Sequence, residues 1–147
     1  MVIMYNGTRD SAARSGEPAS PPIAALIGFT LSAVSPGEAV IELPAGPQHA
    51  NPMGTLHGGV LCDIADAAMG VAYASTLAEG ETFATLELKI NFLKPVWTAR
   101  LRATGRVVKR GKTVGLLECD ITDEHQDLVA RASSTCMTLR GEQARGR

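Results

Sequence analysis

The stretch Asn51-Pro52-Met53-Gly54-Thr55-Leu56-His57-Gly58-Gly59 runs directly into Val60-Leu61-Cys62-Asp63-Ile64-Ala65-Asp66-Ala67-Ala68-Met69-Gly70-Val71-Ala72-Tyr73-Ala74. Its reading decides the fold. A His-Gly-Gly turn opening a helix leaves backbone N–H groups without intrahelical partners, and it lets the chain approach a neighbour closely. The helix that follows is expected over roughly Gly58 to Leu77. It is apolar nearly all round, so it is expected to be buried. A buried helix does not keep a carboxylate without a reason, which singles out Asp66. Amide donors at the helix mouth, with an acid about two turns further in, suit attack on a carbonyl.

Outward from the helix, the organisation is simple. Residues 1–22, rich in Ser, Ala, Gly, Arg and Pro, read as a mobile leader. A single domain is expected over 23–140, and a charged, frayed tail over 141–147. Ile23 to Ile27 suits a short helical turn. Phe29–Val34 and Ala39–Leu43 flank Ser35-Pro36-Gly37-Glu38, which reads as a hairpin turn. Pro44 to Pro52 reads as a loop with three prolines leading into the site. Gly80 is the expected helix stop. Then come Phe83–Leu93, with Leu86, Leu88, Ile90 and Phe92 on one face, and Ala99–Val108. In the second, Leu101, Ala103, Gly105 and Val107 alternate against Arg100, Arg102, Thr104 and Arg106. Lys109-Arg110-Gly111-Lys112 is a Gly-centred turn. Thr113–Thr122 and Leu128–Leu139 complete the set. One long apolar helix followed by consecutive antiparallel strands means an α+β fold, with the sheet curved round the helix. Its edges and helix mouth would be covered by a second copy.

Composition excludes several classes. At 147 residues with 45% hydrophobic and 20% charged side chains, the chain is one ordinary globular domain. The net charge of −1 offers no global field for nucleic acid. No apolar run reaches the ~18–20 residues that cross a bilayer. Met1 to Tyr5 is too short for a signal peptide. The three cysteines, Cys62, Cys119 and Cys136, match neither a metal spacing nor a disulfide framework. A reducing, cytoplasmic setting is expected.

Asn51 to Leu139 resembles the hotdog-fold acyl-CoA thioesterases of the phenylacetic-acid-pathway, PaaI-like, group. The matching pieces are Asn-x-x-Gly-x-x-His-Gly-Gly over Asn51–Gly59 and the acid nine residues after His57. The run Ala84 to Pro95 and the turn Lys109 to Thr113 complete the match. The resemblance implies a sheet of five or six strands wrapped around one helix, in a dimer that doubles to a tetramer. It implies hydrolysis of an acyl-CoA to a free acid and coenzyme A, with no metal or redox cofactor.

Within that frame each residue has a role and a plainer alternative. The Gly58 N–H, helped by Gly59, would polarise the thioester carbonyl at a positive helix start; alternatively, both glycines merely allow close packing. Asp66 would be general base or nucleophile, or a satisfied structural acid. Asp63 is its rival, and the family spacing from His57 favours Asp66. His57 would hydrogen-bond the thioester region or brace the loop. The Asn51 amide would donate to a carbonyl or hold water, or simply form a turn. The resemblance places Thr85 as a water-positioning hydroxyl that reaches Asp66 across the subunit interface. Some relatives carry a hydroxyl one turn after the acid, where this chain has Gly70. Lys109, Arg110, Gly111 and Lys112 would meet the coenzyme A phosphates, with Arg100, Arg102 and Arg106 extending the patch. Trp97 has no site role. Cys62 lacks the partners of a nucleophilic triad, and no Gly-x-Ser-x-Gly elbow is present. The alternatives are a hotdog dehydratase or hydratase, for which the His-Gly-Gly opening is a poor match, and a non-catalytic acyl-CoA-binding domain.

Overall fold

The computed structural model describes residues 20–145. Residues 1–19 of the expected leader therefore lie outside the described residues. A short helix, α1 (Pro22–Ile27), ends at Gly28, whose φ of 91° supplies the left-handed stop. The hairpin follows as β1 (Thr30–Ser35) and β2 (Glu38–Ala45), turning on Gly37 at φ 81°. β2 runs two residues beyond its expected end. Pro44 is tolerated there because β1 stops opposite Glu42, so one side of β2 is already an edge. After the 3-10 turn Pro47–His49 come α2 (Gly58–Ala74), β3 (Thr82–Phe92), β4 (Ala99–Arg110), β5 (Val114–Thr122) and β6 (Leu128–Leu139).

The six strands form one antiparallel sheet in the order β1-β2-β4-β5-β6-β3. The fold is α+β with a single long helix held in the sheet's concavity, as expected. α2 lies mainly across β2, β4 and β5. Its buried stripe is Leu61, Ile64, Ala65, Ala68, Met69, Ala72 and Tyr73. The seat is made of small residues. A side chain at Gly105 of β4 would put its Cβ 2.5 Å from the Ala68 carbonyl carbon and 2.7 Å from the Met69 nitrogen. Gly115 of β5 is bare for the same reason beneath the Tyr73 ring.

α2 is shorter than expected. Ser75 Oγ donates to the Ala72 carbonyl (2.7 Å), and Thr76 Oγ1 donates to the Tyr73 carbonyl (2.7 Å). These hydroxyls satisfy the last carbonyls and end the helix at Ala74. Gly80 instead sits, at φ 77°, in the following turn. Nor is the helix buried all round. Its outer stripe, including Cys62, Asp63, Asp66 and Gly70, is only half-covered or exposed.

Two β-bulges revise the alternation. In β3 the register shifts between Thr85 and Glu87, so Thr85 joins Leu88, Ile90 and Phe92 on the inner face and Leu86 turns outward. In β4 the shift between Val107 and Lys109 brings Arg110 inward opposite Gly115. The tail is ordered into a 3-10 turn at Gly141–Ala144. Among the described residues no helix is long and apolar enough to cross a membrane.

The loop after α2 is anchored by Glu81. Its carboxylate accepts from the Ala78 N–H (3.0 Å), Arg110 (2.8 Å) and Arg140 (2.7 Å). The Ala78 N–H foremost, then the two guanidinium groups, hold the Glu81 carboxyl below its ordinary range. A carboxyl that titrates lower folded than unfolded stabilises above its unfolded value and loses that effect as pH falls. Glu81→Gln should therefore flatten the decline of Tm between about pH 5 and 3, read by thermal melts across that range. Gly105→Ala should cost at least about 1–3 kcal/mol, because backbone meets the new methyl. Gly70→Ala, facing only the Phe83 ring at 3.4 Å, should cost far less. Equal urea midpoints for the two variants would show that the helix seat is not so tight.

Candidate active site

The loop before α2 is built to hold the helix mouth open. Asn51 forms an Asx turn: its Oδ1 accepts from the Met53 N–H (2.9 Å), and its Nδ2 donates to Thr55 Oγ1 (2.8 Å). Its amide therefore braces the loop and leaves one N–H beside the cleft. The buried His49 ties this loop to α1. Its Nδ1 accepts from the Gly46 N–H (3.2 Å), and its Nε2 lies 2.7 Å from the Ile27 carbonyl, as donor. The sequence reading assigned His49 nothing.

His57 is the N-cap of α2, and its Nδ1 accepts from the Gly59 N–H at 2.9 Å. That nitrogen carries no proton in this geometry. The cap corrects the expectation for Gly59: its N–H is already taken and cannot also polarise a substrate. The Gly58 N–H, by contrast, has no acceptor among the described residues. It is a single free donor at the positive end of a 17-residue helix. Gly58 also lies under the Phe92 ring. A Cβ there would be 2.9 Å from Phe92 Cζ, so glycine is what lets the ring close over the helix mouth.

Beside Gly58 opens a cleft of about 380 Å³. Asn51, Thr55, Leu61, Phe92, Lys94 and Val96 are among its lining residues. Phe92 had been read only as a strand residue. The available signal was topological: a strand that returns along the helix ends level with the helix mouth.

Asp66 lies elsewhere. Thr85 Oγ1 donates to Asp66 Oδ1 at 3.3 Å within the same chain. The bulge at Leu86 makes this contact possible. Two expectations are thereby corrected. Thr85 and Asp66 come from one chain, not from two. And Asp66 is not a buried acid facing its own Gly58: it is exposed on the outer stripe of α2, because the small-residue seat fixes the opposite stripe against the sheet. Eight residues of helix separate Gly58 from Asp66, a rise of ~12 Å. One carbonyl cannot touch both within a single chain. Asp63 takes no hydroxyl partner among the described residues; burial, then the Asp66 charge, hold its carboxyl above the ordinary value.

The cationic turn divides. Arg110 is not free for a phosphate: it pairs with Glu81 and stacks 5.8 Å from the Tyr73 ring centroid. Gly111 closes the turn through its N–H to the Val114 carbonyl (2.9 Å). Lys109 and Lys112 are exposed, with no carboxylate partner among the described residues. Arg102 and Arg106 are held in cross-strand pairs with Glu42, Glu118 and Asp120 and do not extend the patch. Arg100 stands exposed on the same outer face, and Trp97 is exposed too. None of the cysteines suits a nucleophile. Burial, then Asp63, raises the Cys62 thiol; burial pushes Cys119 up to about 12; burial raises Cys136 as well.

Residues 53–130, more than half of the chain, match the thioesterase superfamily. The chain is 30% identical over 109 residues to the 1,4-dihydroxy-2-naphthoyl-CoA hydrolase of Listeria monocytogenes, covering 74% of this chain and 89% of that one. It is 28% identical over 97 residues to human acyl-coenzyme A thioesterase 13, covering 65% of this chain and 69% of that one. The Escherichia coli PaaI protein of the phenylacetic acid degradation operon superposes with a TM-score of 0.77 at 27% identity, over 82% of this chain and 86% of that one. With a family match over more than half of its length and a shared six-stranded sheet around one long helix, the chain belongs to the thioesterase superfamily, as a hotdog-fold thioester hydrolase.

Proposed function

We propose that this chain hydrolyses an acyl-CoA to the free acid and coenzyme A, at sites completed only by a second copy. The observation that carries the reading is the separation of the two halves of the machinery. Gly58 and Phe92 touch at one end of the helix–strand pair, and Asp66 and Thr85 touch further along it. A two-fold axis that brings Gly58 onto the partner subunit's Asp66 relates α2 to its copy about Cys62. The same axis brings Phe92 towards the partner subunit's Thr85, with β3 related to its copy about the Leu88–Lys89 step. β3 is one of the two edges of the sheet, β1 being the other, so antiparallel pairing of β3 with its own copy continues the sheet without a break. One operation thus satisfies both contacts. The dimer has two such sites, and pairing of dimers gives the tetramer that the resemblance implies.

In each site the thioester oxygen accepts from the Gly58 N–H, where the developing negative charge meets the helix dipole. The partner subunit's Asp66 acts on the carbonyl carbon, as base toward a water or as nucleophile itself. Thr85 holds one of its oxygens and leaves the other for the reaction. Collapse of the tetrahedral species breaks the C–S bond and releases coenzyme A thiolate, which takes up a proton. With water as the attacking group the free acid forms directly; with Asp66 as nucleophile a water then cleaves the acyl–Asp66 anhydride to the free acid and the restored carboxylate. The reaction as written uses no metal or redox cofactor. Lys109 and Lys112 are the cations left to meet the coenzyme A phosphates. They lie at the end of a cross-strand row running from Thr85 through Cys136 and Gly115 to Arg110, three strand spacings or ~14 Å away. The three free cysteines suit a reducing cytoplasm.

Asp66→Asn preserves shape and removes the acting carboxylate. It should lower kcat on a reactive acyl-CoA by about 10²–10⁴, with Tm unchanged, in a thiol-release assay. Near-normal turnover would remove Asp66 from the reaction. Gly58→Pro deletes the donor at the first helical position, where the missing N–H costs no helix hydrogen bond, and its added Cβ also pushes the Phe92 ring aside; it too should be inactive. Co-expression of Asp66→Asn and Gly58→Pro chains, with differently tagged heterodimers isolated, should restore about half of wild-type activity, since one of two sites is whole. No recovery would mean that the halves belong to one chain.

A further inference from the structure

We infer that the cleft beside Gly58 seats the acyl group, and that Phe92 is the wall that sets how much bulk it accepts next to the carbonyl. This deepens the proposed hydrolysis and rests on it. The argument starts from what the lining still has to offer. The Asn51 and Thr55 side chains bond each other at 2.8 Å. The Lys94 ammonium is held by Asp123 (2.6 Å) and Asp127 (2.7 Å). Nearly every polar group on the wall therefore has its partner within the protein. What remains, among the described residues, is apolar surface from Leu56, Leu61, Phe92 and Val96, with two donors at its mouth, the Gly58 N–H and the second N–H of the Asn51 amide. A pocket with these two donors at its mouth and hydrocarbon beyond them fits a carbonyl followed by an apolar chain or ring. It does not fit the polyanionic end of coenzyme A.

The size and the position of Phe92 narrow the class. At about 380 Å³ the cleft is small among ligand pockets, which run ~300–1,000 Å³. The Phe92 ring covers the Gly58 Cα, directly beside the amide that takes the carbonyl oxygen. Any substituent near the carbonyl meets this ring first. The ring is also 56% exposed in the single chain and is not part of the buried core, so its loss opens space without unseating the fold. The substrate class that follows is a compact apolar acyl group, an aryl ring or a short-to-medium chain, in preference to a long one.

The test is kcat/KM by thiol release for benzoyl-, phenylacetyl-, hexanoyl- and palmitoyl-CoA, with wild type, Phe92→Leu and Phe92→Ala. Wild type is expected to favour its best compact substrate over palmitoyl-CoA by at least about tenfold. That ratio should shrink stepwise through Phe92→Leu to Phe92→Ala, mainly through a lower KM for the bulkier substrate. If Phe92→Ala does not fold, the Phe92→Leu ratio alone decides. An unchanged ratio in variants that still hydrolyse overturns the role of Phe92 and leaves the hydrolase reading standing. A wild type that prefers palmitoyl-CoA overturns the compact-acyl class. Absence of thiol release by wild type from all four substrates overturns the hydrolase reading and this inference with it.

Discussion

Everything at the site depends on how closely α2 approaches the sheet. Gly105 meets the backbone of Ala68 and Met69, and Gly115 makes room for Tyr73. Ala65, Ala68 and Ala72 line the same stripe of the helix and are fully buried. With so little side chain between them, helix and sheet have one rotational setting. Any other would press a larger residue against strand backbone, and packed interiors do not yield to that cheaply. Tyr73 locks the far end, its hydroxyl 2.8 Å from Thr138 Oγ1 and its ring edge-on to Phe83. Once this stripe is fixed inward, the opposite stripe is fixed outward. Asp66 is on that opposite stripe, exposed and outside its own core.

The second constraint concerns which amides remain free. A helix start leaves several N–H groups unsatisfied, and an undirected set of donors would bind water as readily as substrate. Here the His57 side chain takes Gly59, and the His57 carbonyl takes Val60 (3.0 Å). Only Gly58 is left, with Phe92 over one side of it. Asn51 and His49, hydrogen-bonded within the preceding loop and back to α1, keep that opening in place. Preorganisation of this kind comes from ordinary turn and cap chemistry; it needs no strained residue at the donor itself.

Much of this was legible in the sequence, and the remainder was hidden for identifiable reasons. The helix, the hairpin at Gly37 and the order of the long strands follow from periodicity and turn residues, which are local signals. Simple alternation grouped Leu86 with Leu88, Ile90 and Phe92 on one face, and the Gly111-centred pattern put Arg110 in a cationic turn. Each is undone by a bulge, and a bulge depends on pairing with a distant strand, so no local pattern announces it. The helix end was placed too late because Ser75 and Thr76 stop it with their hydroxyls, where Gly80 was expected to act. Asp66 was expected buried because its neighbours are apolar. Apolarity marks what is finally covered, and it does not say whether the cover is the same chain. Gly58, His57 and Asn51 were legible as a group, but only the geometry divides them into donor, cap and brace.

The half-covered outer stripe of α2 and the edge strand β3 then have a common explanation. Leu86, Phe92 and Leu93 are each more than half exposed in the single chain, and β3 offers an unpaired row of backbone groups beside them. An open apolar edge is a liability for a solitary domain. Here the edge also carries Thr85 at one end and Phe92 at the other, each against a different half of the reaction machinery. The isologous contact proposed along β3 would remove the liability and join the halves in the same step, because a two-fold axis exchanges the two ends of the strand and the two ends of the helix segment together. The sequence feature that most resembles a folding defect, an apolar helix with a charged outer stripe, is in this sense the part of the chain that the proposed second copy would cover.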